Sequence, residues 1–275
     1  MKLSDAASYF DRTPVFDATT GSHLFYGQVD PYDDSKRDAG GAYRRILSVR
    51  PGTAIPASRV VRVFGIPFIV GAEEIDGLAE QHRVKYVIQR ADGYYAVSRL
   101  SAFLSGTTSS NTWADPQWLK DAKELSVSSR MPQMYNVMLP LAADIRVNDV
   151  LWLGTARYFV LASRALPSGM KQAECLLLED PVATATLTPR TYDPVAGAYS
   201  TSAPTSIACL KVRWQSLYQY ATQDDARYQE GDTSLVVPLA TVVANKDSID
   251  LGGATWRILS VDVIADTKVL HARPL

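Results

Sequence analysis

Asp149-Val150-Leu151-Trp152-Leu153-Gly154 and Asp247-Ser248-Ile249-Asp250-Leu251-Gly252 share one pattern, Asp-x-[Leu/Ile]-x-Leu-Gly. Each is preceded by an apolar strand that stops at a proline: Val137-Met138-Leu139-Pro140-Leu141 in one copy, Val236-Val237-Pro238-Leu239 in the other. Each is followed by an aromatic and an apolar run, Arg157-Tyr158-Phe159-Val160-Leu161 and Trp256-Arg257-Ile258-Leu259-Ser260-Val261. In both copies the glycine stands 14 positions after the proline. A looser third copy lies upstream. Ile46-Leu47-Ser48-Val49 leads to Pro51, Val60-Val61-Arg62-Val63-Phe64-Gly65 follows, and Pro67-Phe68-Ile69-Val70 returns. Pro51 and Gly65 keep the 14-residue spacing, but the aspartate is missing and the register at the glycine is open by one residue. A last apolar strand closes each copy: Val84–Ile88, Cys175–Leu178 and Lys268–His271.

The physics of the unit follows from residue type. A proline cannot donate to a ladder and marks a strand end. Leu151 and Leu153, or Ile249 and Leu251, fall on one face of an alternating strand. The glycine supplies a tight turn at positive φ. The return strand brings Tyr158 or Trp256 back over the hairpin. A lone hairpin is marginal in water, so each unit predicts a small curled barrel or sandwich that buries the shared face. The aspartate bonds local backbone N–H groups and blunts a strand edge; its recurrence at one position speaks against a catalytic role.

The three glycines lie 89 and 98 residues apart, which is the length of a small domain and longer than an ordinary solenoid repeat. The fold expectation is mainly β: two to three small antiparallel β-barrel or sandwich modules with few short helices. The boundaries are 1–104 for an N-terminal module with an extended loop, 105–183 for a middle module preceded by a short helix, and 184–275 for a C-terminal module after a linker. Ser105–Thr112 and the proline-containing stretch Thr184–Ser206 are the candidate junctions. Two helices are expected. Ser4 caps a turn through Phe10, and Asp115 with Pro116 starts a helix to Leu125 that puts Trp118, Ala122 and Leu125 on one face.

Composition narrows function. The 275 residues carry 28 Lys and Arg against 29 Asp and Glu, a net charge of -1. That balance excludes a nucleic-acid binder that works by a strong positive field. With 47% hydrophobic and 21% charged residues, the chain is not an acidic disordered tail. No apolar run reaches a membrane span, and Asp5 sits where a signal peptide is apolar, so a soluble protein made in a cytoplasm is expected. Cys175 and Cys209 read as two buried thiols. His23, His82 and His271 are not at metal-ligand spacing, and the nucleophile-elbow, phosphate-loop and dinucleotide motifs are absent. Asp30–Asp38 holds carboxylates that suit a hard cation, but Lys36 and Arg37 lie among them; it reads as a solvated loop ending at Gly40-Gly41, and Asp224-Asp225 as the tip of a polar connection. The expectation is a protein without catalytic residues, cofactor or metal.

Asp149–Val160 and Asp247–Ile258 resemble the core hairpin of small β-barrel proteins in the necks of tailed bacteriophages: head-completion, stopper and tail-terminator proteins. Val15–Gly21 and the Tyr26–Arg45 region share that character, and the likeness covers about half of the chain. It implies a virion structural protein, not an enzyme. Such a protein forms a sixfold or twelvefold homo-oligomeric ring between the portal or adaptor and the tail, surrounds the DNA channel without gripping it, and has no membrane partner. It would be assembled in the host cytoplasm. The repeat-defining residues are Pro51, Gly65, Phe68, Pro140, Asp149, Gly154, Tyr158, Pro238, Asp247, Gly252 and Trp256. Arg44, Arg45, Arg50, Arg59 and Arg62, read as loop residues, are candidates for ring or lumen contacts. The 14 Tyr and 5 Trp offer amphipathic contact surface. Two alternatives stand beside this reading: another virion part (tail tube, baseplate or capsid decoration), and a carbohydrate-binding β-sandwich using Trp113, Trp118 and Trp214.

Overall fold

Each of the three sequence copies becomes a closed six-stranded antiparallel barrel. The computed structural model describes residues 13–31, 44–74, 83–118, 134–178, 182–212 and 232–275. The first barrel comprises β1 (Thr13–Asp17), β2 (His23–Pro31), β3 (Arg44–Val49), β4 (Val60–Val63), β5 (Ile66–Glu74) and β6 (Val84–Arg90). The second comprises β7 (Gly93–Ser98), β8 (Ser110–Trp118), β9 (Met134–Pro140), β10 (Val150–Leu153), β11 (Ala156–Ala165) and β12 (Met170–Leu177), with a short helix α1 (Leu100–Leu104) after its first strand. The third comprises β13 (Val182–Thr188), β16 (Thr205–Val212), β17 (Thr233–Pro238), β18 (Ser248–Leu251), β19 (Ala254–Ile264) and β20 (Thr267–Pro274). A two-stranded arm, β14 (Arg190–Asp193) with β15 (Ala198–Thr201), is inserted after its first strand.

All three barrels have one topology. Counted within each barrel, the ladder order is 1-2-3-6-5-4, and strand four closes back on strand one in each. The quoted hairpin is strands four and five: Leu151 pairs with Tyr158, and Ile249 with Trp256. Gly154 (φ 59°) and Gly252 (φ 61°) turn it, so the positive φ expected at these positions is present. Strand five carries a bulge at the same place each time, after Val70, Val160 and Ile258, which bends the strand round the barrel. The inward faces make three separate cores. Val61, Phe68, Val70 and Ile88 fill the first, Leu151, Tyr158, Val160 and Cys175 the second, and Ile249, Ile258, Leu270 and Ala272 the third.

Several expectations are corrected. Asp115–Trp118 is the end of strand β8, not the start of a helix, and Pro116 pairs with Val137. The stretch alternates with period two: Thr112 and Ala114 are buried in the barrel while Trp113, Asp115 and Gln117 face the other way, and ladder pairing overrides the cap signal. The remainder of that expected helix, the Ser4–Phe10 turn, His82, Trp214, Asp224-Asp225 and residues 32–38 of the acidic stretch lie outside the described residues. Thr184–Ser206 is not a linker: it holds most of β13, the whole arm and the start of β16, with Ala185 and Leu187 buried. Ser105–Thr112 lies inside the second barrel, as a turn in which Thr107 N–H donates to Ala102 O at 2.8 Å and then the start of β8. The first barrel therefore ends at Arg90 and not at residue 104, because β7 pairs with β8 and β10.

Candidate functional site

The feature common to all three barrels is the loop between strands three and four. In the second barrel Asp149 N–H donates to Arg146 O (3.2 Å), and Asp149 O accepts Val160 N–H (2.9 Å). The third barrel repeats this with Asp247, Ala244 and Ile258, at 3.3 and 2.9 Å. In the first barrel Arg59 takes the place: its N–H donates to Pro56 O at 2.8 Å, and its O accepts Val70 N–H at 2.8 Å. This settles the open register. Arg50 stands where Pro140 and Pro238 stand, and Phe64, at φ 52°, stands where Gly154 and Gly252 stand. Pro51 and Gly65 are both displaced by one residue, which preserves the 14-residue spacing.

The aspartate side chains pin this loop. Asp149 Oδ2 accepts Arg146 N–H at 2.8 Å and the guanidinium of Arg99, while Arg99 also donates to Asp144 at 2.8 Å. Burial raises the pKa of Asp149, with Arg99 and the Arg146 N–H pulling the other way. Asp144, exposed beside Arg99, is lowered. Asp247 Oδ2 accepts Ala244 N–H and its Oδ1 accepts Arg190 N–H, both at 2.8 Å, so it ties the loop to the root of the arm. Both carboxylates bond local backbone N–H groups as read. They blunt no edge, because the sheet they belong to is closed.

Two barrel-to-barrel junctions are the other candidate. The first is close. Ala72 N–H donates to Ser168 O at 2.5 Å, and a Cβ on Gly71 would stand 2.4 Å from that same oxygen. Gly169, at φ +70°, has no room for a Cβ against Ala72. Ile69 and Ala91 pack on Met138 and Met170, with Trp113 and Leu166 alongside. The amides of Gln89 and Gln117 each donate to Asp115 Oδ2 at 2.8 Å, and burial raises the Asp115 pKa. The second junction is apolar: Val150, Phe159, Leu176 and Phe103 of α1 pack on Leu210, Val212, Val236 and Val269. Asn148 Nδ2 donates to Ile264 O and Thr267 Oγ1, both at 2.8 Å.

Of the arginines, Arg44 and Arg45 lie on β3 and Arg62 on β4, not in loops. Arg59 donates to Gly71 O at 2.6 Å and Arg62 to Ala18 O at 3.2 Å, so both hold the first barrel together; Arg50 is exposed in the loop. Trp113 lies half-buried at the first junction, which takes it out of an exposed sugar platform. Cys175 and Cys209 are free and buried, and burial pushes the Cys209 thiol up to about 11. His271 lies between Ser234 Oγ (3.1 Å from Nδ1) and the Asp262 carboxylate (3.2 Å from Nε2), an adjacency sequence spacing does not reveal. Ser234 is fully buried, so this Ser–His–Asp arrangement offers no hydroxyl to a substrate. Among the described residues no group of three or more His, Cys, Asp and Glu is placed to hold a metal ion, and no helix is long and apolar enough to cross a membrane.

Apolar side chains are exposed at one end of the third barrel. Leu239 and Val242 lie in the loop between its strands three and four, and Val263 and Ile264 at the end of strand five, next to the turn into strand six. Leu239 N–H donates to Asp266 O at 3.2 Å and Lys268 Nζ to Thr241 O at 2.6 Å, which holds loop and turn together. Comparison with protein-family models, curated proteins and solved structures finds no match to this chain.

Proposed function

We propose that this protein is a structural subunit of a tailed-bacteriophage neck, building a homo-oligomeric ring that joins the portal or adaptor to the tail around the DNA channel. The observation that carries the reading is the tandem of three barrels with one topology, pinned by one loop and packed through repeated faces. Such a chain is a row of similar blocks joined by packed contacts, which suits a scaffold that transmits position. The exposed aliphatic set at the third barrel and the tyrosines of the arm, Tyr192 and Tyr199, supply surface of the kind that partners cover. A net charge of -1 suits a wall that lets DNA slide past, because counterion-release binding requires clustered Lys and Arg.

The test is the mass of the assembled species by native mass spectrometry, with electron microscopy of the particles formed. A sixfold or twelvefold ring, alone or on addition of the portal and tail proteins of the same particle, is the expected result. A protein that stays monomeric under all of these conditions overturns the proposal.

A further inference from the structure

Both internal junctions use the same two faces. Ladder register defines equivalent positions: Ile69, Phe159 and Arg257 precede the three bulged residues of strand five, and their strand-six partners are Gln89, Leu176 and Arg273. On the other face Ser48, Met138 and Val236 are equivalent on strand three, paired with Gln28, Asp115 and Leu210 on strand two. At the first junction Ile69 shares a cluster with Met138, and Gln89 bonds Asp115. At the second, Phe159 and Leu176 share a cluster with Leu210 and Val236. The strand-five face of one barrel thus packs on the strand-two and strand-three face of the next, twice.

Among the described residues this leaves one face of each kind at the ends of the row. The third barrel presents Arg257, exposed, with Asp250, also exposed, on β18 beside it. The first barrel presents Tyr26, 52% exposed and equivalent to the junction residue Trp113, with the half-buried Gln28 and Asp30 on the same face of β2. We propose that copies of the chain join head to tail through these faces, Arg257 of one copy lying against Tyr26 and Asp30 of the next. The proposal deepens the ring reading and rests on it. An arginine over a tyrosine ring and beside a carboxylate is a favourable interface pair. The chemistry of the faces differs with their place: the second junction, internal to the chain, is apolar, whereas the end faces carry polar groups, with Tyr26 and Arg257 exposed. A head-to-tail contact is heterologous, and it makes a ring when its rotation closes.

The test uses the full chain with Tyr26→Cys and Arg257→Cys together, treated with a short bismaleimide under assembling conditions. A ladder of covalent oligomers ending at the ring number is expected, with none from either single variant or from the parent, whose two cysteines are buried. Arg257→Glu alone should weaken self-association about tenfold while the circular dichroism of the barrels is retained. A ring seen by native mass without the ladder, dimers from a single variant, or unchanged association of Arg257→Glu overturns the head-to-tail contact and leaves the ring reading standing. A chain that is monomeric even with its portal and tail partners removes both.

Discussion

The two junctions join similar barrels by different means. Between the first and second barrels two backbones approach closely, and glycines at 71 and 169 make the room. The connection there is only Ala91-Asp92, and the carboxylate of Asp115 is buried among amides. Between the second and third barrels the helix α1 is wedged in, and the contact is a broad apolar cluster. The first junction depends on shape and hydrogen bonds, the second on area removed from water. The difference teaches that the pairing of faces is fixed by topology, whereas the chemistry on them varies freely.

Phe159→Ala should break the second junction. Truncating a fully buried aromatic costs about 3–5 kcal/mol. Urea unfolding followed by tryptophan fluorescence should show the third barrel melting apart from the second. Gly71→Ala should damage the first junction and leave the second intact, at about 1–3 kcal/mol from overpacking against Ser168. Limited proteolysis between residues 90 and 93 should then become faster.

Asp115→Asn sharpens the contrast through pH. The folded pKa of Asp115 is raised by burial, so the folded state holds its proton more tightly than the unfolded chain does. Its contribution to stability is full below the unfolded pKa and is lost as pH rises through the folded value. Parent minus variant stability should therefore fall as pH rises from the ordinary carboxylate range through that raised value, measured by urea midpoints across the range. A flat difference would contradict a carboxylate whose burial outweighs its two amide donors. The smallest effect is expected from Asp144→Ala, which removes an exposed partner of Arg99 and should cost about 0.5 kcal/mol or less, since Asp149 still holds the guanidinium.

The second and third barrel hairpins were legible in the sequence because strand four lies between a proline and a glycine, and an aromatic, apolar strand five follows the glycine. The loop aspartates were legible as loop pins for the same reason: they recur at one position. The first strand of each barrel was not recognised as a strand. Gly93-Tyr94-Tyr95-Ala96-Val97-Ser98 is short, and its pairing with β10 is long-range, so nothing local announces it. α1 was missed because five residues show no period. Asp115-Pro116 carries a strong helix-start signal that pairing with β9 overrides. The junction faces were illegible for a deeper reason. Ile69, Phe159 and Arg257 share a position but not a chemistry, and only the ladder register shows that they correspond.

In each barrel every strand has a hydrogen-bonded neighbour on both sides, so its rim offers no vacancy to an incoming peptide. The Arg190–Thr201 hairpin is the exception among the described residues: two strands, with an outer margin on each side that no other described strand borders. Among the described residues, a polypeptide that adds an extra rung by main-chain bonding would find its margin there, and Asp247 would carry the tug of that capture straight to the base of β18.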